Sequence, residues 1–264
     1  VGTARTTAGA GTQTANVIMG GQGPTSNVEE YNGSSWSEVN NMPYVASNLG
    51  GTGTQTAAIA FGGYYNVATS AEYDGTNWTV GGSLNTGREI AAGGAGIQTA
   101  ALAIGGYIRE PGATNKVEQY NGSSWSVAPT LNSALYGRCG SGTTSAALAA
   151  GGNPTTTATE EYNGSTWTTV NARPYGAGSA MGSGTQTAAL NYGGNPAGAV
   201  TTTASYDGTN WSAEPAMATA RSMGGGSPAG TTSAALASTG SPGGSATEEF
   251  TVPVSTGVKT LASS

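Results

Sequence analysis

Few side chains in this 264-residue chain can carry acid–base, nucleophilic or metal chemistry. Histidine is absent, which removes His-based triads, the commonest general base and the usual zinc and copper sites. Both aspartates, Asp74 and Asp207, precede a glycine in a turn-like string, so no calcium cage is expected. Cys139 is the sole cysteine and offers no internal disulfide framework. Glu89 and Glu110 are the only carboxylates placed for glycoside chemistry. The expectation is therefore a protein that binds rather than catalyses, with no metal and no cofactor.

What remains is recognition chemistry. Arg5, Arg88, Arg138, Arg173 and Arg221 recur roughly once per repeat. Two readings stay open for them: ion pairing with the recurring glutamates, or a positive ring that faces a ligand. Tyr64, Tyr65, Tyr107, Ile108, Arg109, Glu110, Asn153 and Asn195, with Tyr44, Tyr136 and Tyr175, fall in candidate loops. Exposed Tyr beside Asn and Arg suits sugar or protein contacts, and tyrosines that merely cap a core are the alternative. The proposed ligand-binding set is Tyr64, Tyr65, Tyr107, Arg109, Tyr136, Arg88, Arg138 and Tyr175. The net charge of −6 supplies no basic stripe for nucleic acid. No apolar run is long enough to span a membrane.

The elements that would hold these residues are repeats. "EEYNGSSW" (29–36) returns at 71–78, 118–125, 160–167 and 204–211. Asn-Gly and Asp-Gly are strong hairpin signals. A two-residue turn or a four-residue loop both leave Tyr31 and Trp36 on one face of the hairpin. Turn chemistry also accounts for the sequons at Asn32, Asn77, Asn121, Asn163 and Asn210. A second string, "GTQTANVIMGG" (11–21), returns at 53–63, 96–106, 142–152, 184–194 and 230–240. The sixth copy runs into "TEEF", where Phe250 takes the Tyr position and no Trp follows.

Four short strands fit each period: a Gly/Ala-rich one, an aliphatic one ending in Gly-Gly, one ending at the Tyr and one starting near the Trp. Four strands per 40–50 residues predict a β-propeller blade. Small residues would crowd the axis, and the Tyr and Trp would fill the widening rim, each ring contributing roughly 4–6 kcal/mol gross. The expected fold is all-β, a single six-bladed propeller with four antiparallel strands per blade. Its approximate blades are 1–41, 42–83, 84–130, 131–172, 173–216 and 217–264. Either each blade is contiguous or the termini share one, if Val1–Ala10 pair elsewhere.

Gly-Gly (20–21, 62–63, 105–106, 151–152, 193–194), Glu two before the aromatic (Glu29, Glu118, Glu160, Glu248), then Trp, then Arg, resembles the kelch repeat over nearly the whole chain. Ala71 and Ala204 break the Glu position. The kelch-like copper oxidases need His ligands, so that activity does not carry over. Asp74-Gly75 approaches the sialidase Asp-box but lacks the residue between Asp and Gly. The "GTQTAALAFGG"-like and "TEEYNGSSW"-like strings are similar to the kelch-type virion or tail-associated proteins of marine bacteriophages. That resemblance implies a virion location, with other virion proteins or a host-surface glycan or protein as partners. A secreted or surface lectin is the alternative, and a glycoside-acting enzyme a third.

The interval from the second glycine to the aromatic runs 10, 10, 14, 10, 12 and 10 residues. Length variation thus falls in loops on one predicted face, where recognition usually resides.

Overall fold

The computed structural model describes residues 7–89, 93–242 and 244–251. It is an all-β propeller whose blades have four antiparallel strands joined in sequence order. Blade 1 consists of Ala8–Gly11, Asn16–Met19, Val28–Tyr31 and Trp36–Val39. Blade 2 follows with Gly50–Thr54, Ala57–Phe61, Ser70–Tyr73 and Trp78–Val80. Blade 3 uses Gly94–Ile97, Ala100–Ile104, Val117–Tyr120 and Trp125–Ala128. Blades 4 and 5 run the same way over 139–170 and 181–214.

The blade count differs from expectation. Among the described residues five blades are four-stranded, not six, and the sixth repeat forms a two-stranded sheet of Ala234–Ser238 and Thr247–Thr251. Its inner segment meets that sheet through the bridge Gly225↔Ser238 and the bond from the Leu236 N–H to Ser227 Oγ at 2.9 Å. The physical reason lies in the sequence: this repeat has neither the Asn-Gly turn nor the Trp that build the outer strand elsewhere. Residues 252–264, the end of the expected sixth blade, fall outside the described residues. So do Arg5 and most of the segment invoked for strand sharing.

Small residues set how closely the inner strands approach. A Cβ on Gly94 would lie 2.6 Å from the carbonyl oxygen of Gly51, and one on Gly140 2.5 Å from that of Gly94. Any side chain there would push the blades apart. The axial space, lined by Gly9, Gly51, Gly94, Gly140, Gly182 and Gly226, is about 20 Å³, room for about one water. All six repeats therefore contribute to the axis.

At the rim, each Tyr pairs directly with its Trp across a four-residue loop. The carboxamide of Asn32 caps the first loop by accepting from the backbone N–H of Ser34 and Ser35. The rings lie 4.9–5.1 Å apart and fill the wedge between blades. Each Trp reaches the preceding blade: Trp125 Nε1 donates to Ser70 Oγ at 3.3 Å and Trp211 Nε1 to Thr159 Oγ1 at 3.1 Å. Blade 1 closes on the sixth repeat the same way, with Trp36 Nε1 on Thr247 Oγ1 and Tyr31 Oη on Glu249 Oε1, both at 2.9 Å.

Candidate binding face

The loops after the second strands and the connections between blades share one face. The Gly-Gly pairs stitch them together. The first glycine continues pairing within its blade, and the second donates its N–H to the connection running to the next blade, as Gly63 does to the Arg88 carbonyl at 3.0 Å and Gly106 to that of Leu135 at 3.2 Å. Bridges Glu89↔Tyr107, Tyr136↔Asn153 and Gly178↔Asn195 repeat the stitch. Loop residues are thus held by backbone hydrogen bonds to a rigid ring.

On that face the structure gathers part of the proposed set. The Arg109 guanidinium lies 3.9 Å over the Tyr65 ring and 5.2 Å from the centre of Tyr64. Arg109 Nη2 donates to Tyr64 Oη at 3.3 Å, and its backbone N–H to Asn66 Oδ1 at 3.1 Å. The Tyr64 hydroxyl, with help from Tyr65, raises the Arg109 pKa further, so the charge is permanent. Tyr64 and Tyr65 meet edge to face at 4.4 Å. Tyr65 is 64% exposed and, with Asn66, adopts a left-handed backbone (φ 65° and 59°). That conformation is uncommon for non-glycine residues and is held here by the neighbouring loop.

Other members land elsewhere. Tyr107 and Tyr136 pack edge to face at 5.2 Å beside this cluster, both half-buried. Ile108 is half-buried and Glu110 exposed. Asn153 and Asn195 spend their backbone on the bridges above. Tyr175 is half-buried, its hydroxyl donating to the Thr203 carbonyl, and burial raises its pKa. The Tyr44 hydroxyl is buried without a partner and its pKa is likewise raised.

Arg88 and Arg138 are not on the face. Both side chains are fully buried, pairing with Glu118 and Glu160 at 2.5 Å, so they offer a ligand nothing. Arg221 pairs with Glu248 in the same way. Burial lowers the pKa of Arg88 and Arg138 against the opposing pull of their carboxylates. Of the two readings, intrablade pairing is the one observed for these three. Arg173 is also buried, yet its Nε and Nη1 have no partner. The Cys139 thiol is buried and pushed up to about 12 by desolvation, which makes it a poor nucleophile.

Next to Tyr64 lies a cleft of about 370 Å³ lined by Gln22, Pro24, Ser47, Asn48, Tyr64 and Met223. Only Tyr64 was singled out from sequence. Asn48 and Met223 adopt the left-handed backbone seen at Tyr65 and Asn66, with φ of 52° and 54°. The cleft is uncharged: two amides, a hydroxyl, an aromatic ring, a proline and a thioether. Asn48 Nδ2 donates to Glu89 Oε2 at 3.3 Å, which places that carboxylate behind the cleft wall.

The "GTQTA" string, read from sequence only as a period marker, has a role of its own. Gln55 Nε2 donates to the carbonyls of Asn16 and Tyr31 in the preceding blade at 3.2 and 2.9 Å. Gln98 and Gln186 do the same one and three seams further on, and Gln13 holds Phe250 of the sixth repeat at 3.1 Å. Thr144 and Thr232 stand at this position in the fourth and sixth repeats.

No protein-family model matches the chain, and no curated protein matches it.

Proposed function

We propose that this is a non-catalytic binding propeller of the kelch type, with the sixth repeat as a reduced sixth blade. In this reading it is a structural or tail-associated component of a phage virion that contacts a host surface through the loop face, alongside other virion proteins. The observation that carries the reading is the Tyr64–Tyr65–Arg109 cluster: an exposed aromatic under a fixed cation, on loops pinned to the ring. Tyr and Arg are the residues in which interfaces concentrate energy. The chemistry left in the chain supports binding over turnover, since the thiol and four of the arginines are buried.

A lectin is the second reading, favoured by the neutral cleft beside Tyr64, whose amides and ring suit sugar hydroxyls and an apolar sugar face. A glycoside-acting enzyme would need Glu89 and Glu110 to work together, and Glu89 is engaged with Asn48. Mass spectrometry of purified virions separates the virion role from a secreted lectin. Glycan-array binding without turnover separates lectin from enzyme. For the face itself, Tyr65→Ala should weaken binding to host cells or to the array hit at least tenfold, about 1.4 kcal/mol. Unchanged binding would place recognition elsewhere.

A further inference from the structure

We propose that the space between blade 5 and the sixth repeat is a socket for a tryptophan side chain carried on an extended segment of a partner polypeptide. The other seams of the same ring define what such a socket holds. At three of them the Trp of one repeat fills the rim, and its Nε1 donates to the hydroxyl of the first residue in the third strand of the blade before: Trp36 to Thr247, Trp125 to Ser70, Trp211 to Thr159. Where that residue is Val28, the indole of Trp78 has no partner, and where it is Val117, Trp167 Nε1 donates instead to the Pro129 carbonyl at 3.1 Å.

At the seam after blade 5 the receiving half is intact, and the sixth repeat has no tryptophan to face it. Thr203 begins the third strand of blade 5; it is 1% exposed and its Oγ1 has no partner. It lines a cavity of about 260 Å³ together with Tyr192, Met217, Ala235, Ala237 and Phe250. That is below the roughly 300–1,000 Å³ of pockets enclosing whole drug-sized ligands and suits one aromatic side chain with an N–H to donate. Beside it, the strand Thr247–Thr251 pairs only with Ala234–Ser238 among the described residues. In every complete blade the opposite edge of that strand carries the Trp-bearing strand. The socket therefore fits one ligand: an extended segment whose tryptophan enters the pocket as the outer-strand tryptophans do at the other seams, the side chain giving specificity.

The donor lies outside residues 1–264 of a folded copy. Residues 252–264 contain no aromatic side chain, and all five tryptophans of the protein begin outer strands of their own blades. Neither the following segment nor a second folded copy can supply the indole. The seam also lacks two fastenings found elsewhere, with Thr232 in place of the Gln staple and Phe250 in place of a hydroxyl-bearing Tyr.

The test uses the full chain and a fluorescein-labelled peptide SSWSVA, the sequence of residues 123–128, read by anisotropy. Saturable binding is expected, at least tenfold weaker for the peptide with Ala in place of Trp. Thr203→Val should weaken binding severalfold, and Met217→Trp, which fills the socket from within, should abolish it. Ala237→Leu serves as a second filling variant, and each variant is first checked to melt cooperatively. Tyr65→Ala on the opposite function should leave peptide binding unchanged. Absence of saturable binding, equal binding of the Trp-less peptide, or indifference to both filling variants overturns the proposal.

Discussion

Blades 3 and 4 anchor the connection leading into them differently from blades 2 and 5. In blade 3 the connection reads Leu84-Asn85-Thr86-Gly87-Arg88. Glu118 accepts from the backbone N–H of Asn85 at 2.6 Å, from that of Thr86 at 3.1 Å and from Arg88 Nη1 at 2.5 Å. Blade 4 repeats this with Asn132, Arg138 and Glu160. In blades 2 and 5 the same stretch reads Met42-Pro43-Tyr44 and Arg173-Pro174-Tyr175. The backbone N–H of Met42, Leu84, Leu131 and Arg173 each reaches the preceding loop at 2.8–3.0 Å, which fixes the alignment. Proline then removes the N–H that Asn85 or Asn132 donates, the arginine is absent, and the glutamate is Ala71 or Ala204.

Carboxylate, donor and cation are thus present as a set or absent as a set. A buried carboxylate stripped of partners is costly, and so is a buried guanidinium without its carboxylate. The alanines at the repeated glutamate position go with the prolines, because a carboxylate there would have neither the N–H nor the guanidinium to pair with. Blade 5 adds a variation: Arg173 occupies the apolar place of Leu84 and Leu131, buried, 5.9 Å from the Trp211 ring and with two unpartnered nitrogens. Burial lowers its pKa accordingly.

Breaking the set in blade 3 should give the largest effect. Glu118→Ala leaves Arg88 and the Asn85 N–H unpaired in the interior, and a loss of about 3–5 kcal/mol is expected in urea unfolding. A cost below 1 kcal/mol would show that the pair is dispensable and that the two blade types are equivalent. Arg173→Leu restores the apolar residue of blades 3 and 4 and should stabilise by about 1–3 kcal/mol; destabilisation would mean the guanidinium has a partner that matters. Gln98→Ala removes a staple with two bonds and should cost about 1–3 kcal/mol, whereas Thr144→Ala, at a seam that has no staple, should be near neutral. A smaller effect is expected from acid. Burial raises the Glu248 carboxyl, but the Ala218 N–H and Arg221 outweigh it and hold it below the ordinary range. Its folded pKa is lower than its unfolded one, so its contribution is present above the unfolded pKa and lost as pH falls through the folded value. Glu248→Gln should therefore flatten the fall in melting temperature between about pH 5 and 3.

Much of this was legible in the residues because the chain states it several times. The Tyr–Trp hairpins, the four strands per repeat and the side of the ring that carries variable loops follow from periodic spacing alone. The Arg–Glu pairing was one of two readings, and only burial decides between them. The staple was hidden because Gln55 bonds to carbonyls of another blade, about which spacing says nothing. The cleft was hidden for the same reason: Gln22, Asn48, Tyr64 and Met223 become neighbours only when the ring closes. The sixth repeat shows the limit of counting, since a recognisable second strand does not guarantee an outer one.

The smallest expected change in stability falls on the loop face, and it separates the scaffold from what it displays. Arg109 is exposed, and among the described residues its hydrogen bonds and ring contacts go to Tyr64, Tyr65 and Asn66, unlike Arg88, which shares its chemistry but is sealed inside a blade. Arg109→Ala should shift stability by no more than about 0.5 kcal/mol, the usual range for surface substitutions. The backbone bond from residue 109 to Asn66 survives the change, so the left-handed turn at Tyr65 and Asn66 should hold. Binding to the host surface or glycan should nevertheless fall at least tenfold, because the ligand loses the one fixed cation of the cluster. Arg109→Lys separates two roles for that cation: a flexible ammonium keeps the charge but not the flat face over Tyr65. Partial recovery by lysine would assign the effect to charge, and none would assign it to the stacked geometry. A melting transition lowered by several degrees in Arg109→Ala would instead make the cluster part of the scaffold and remove the contrast with Arg88.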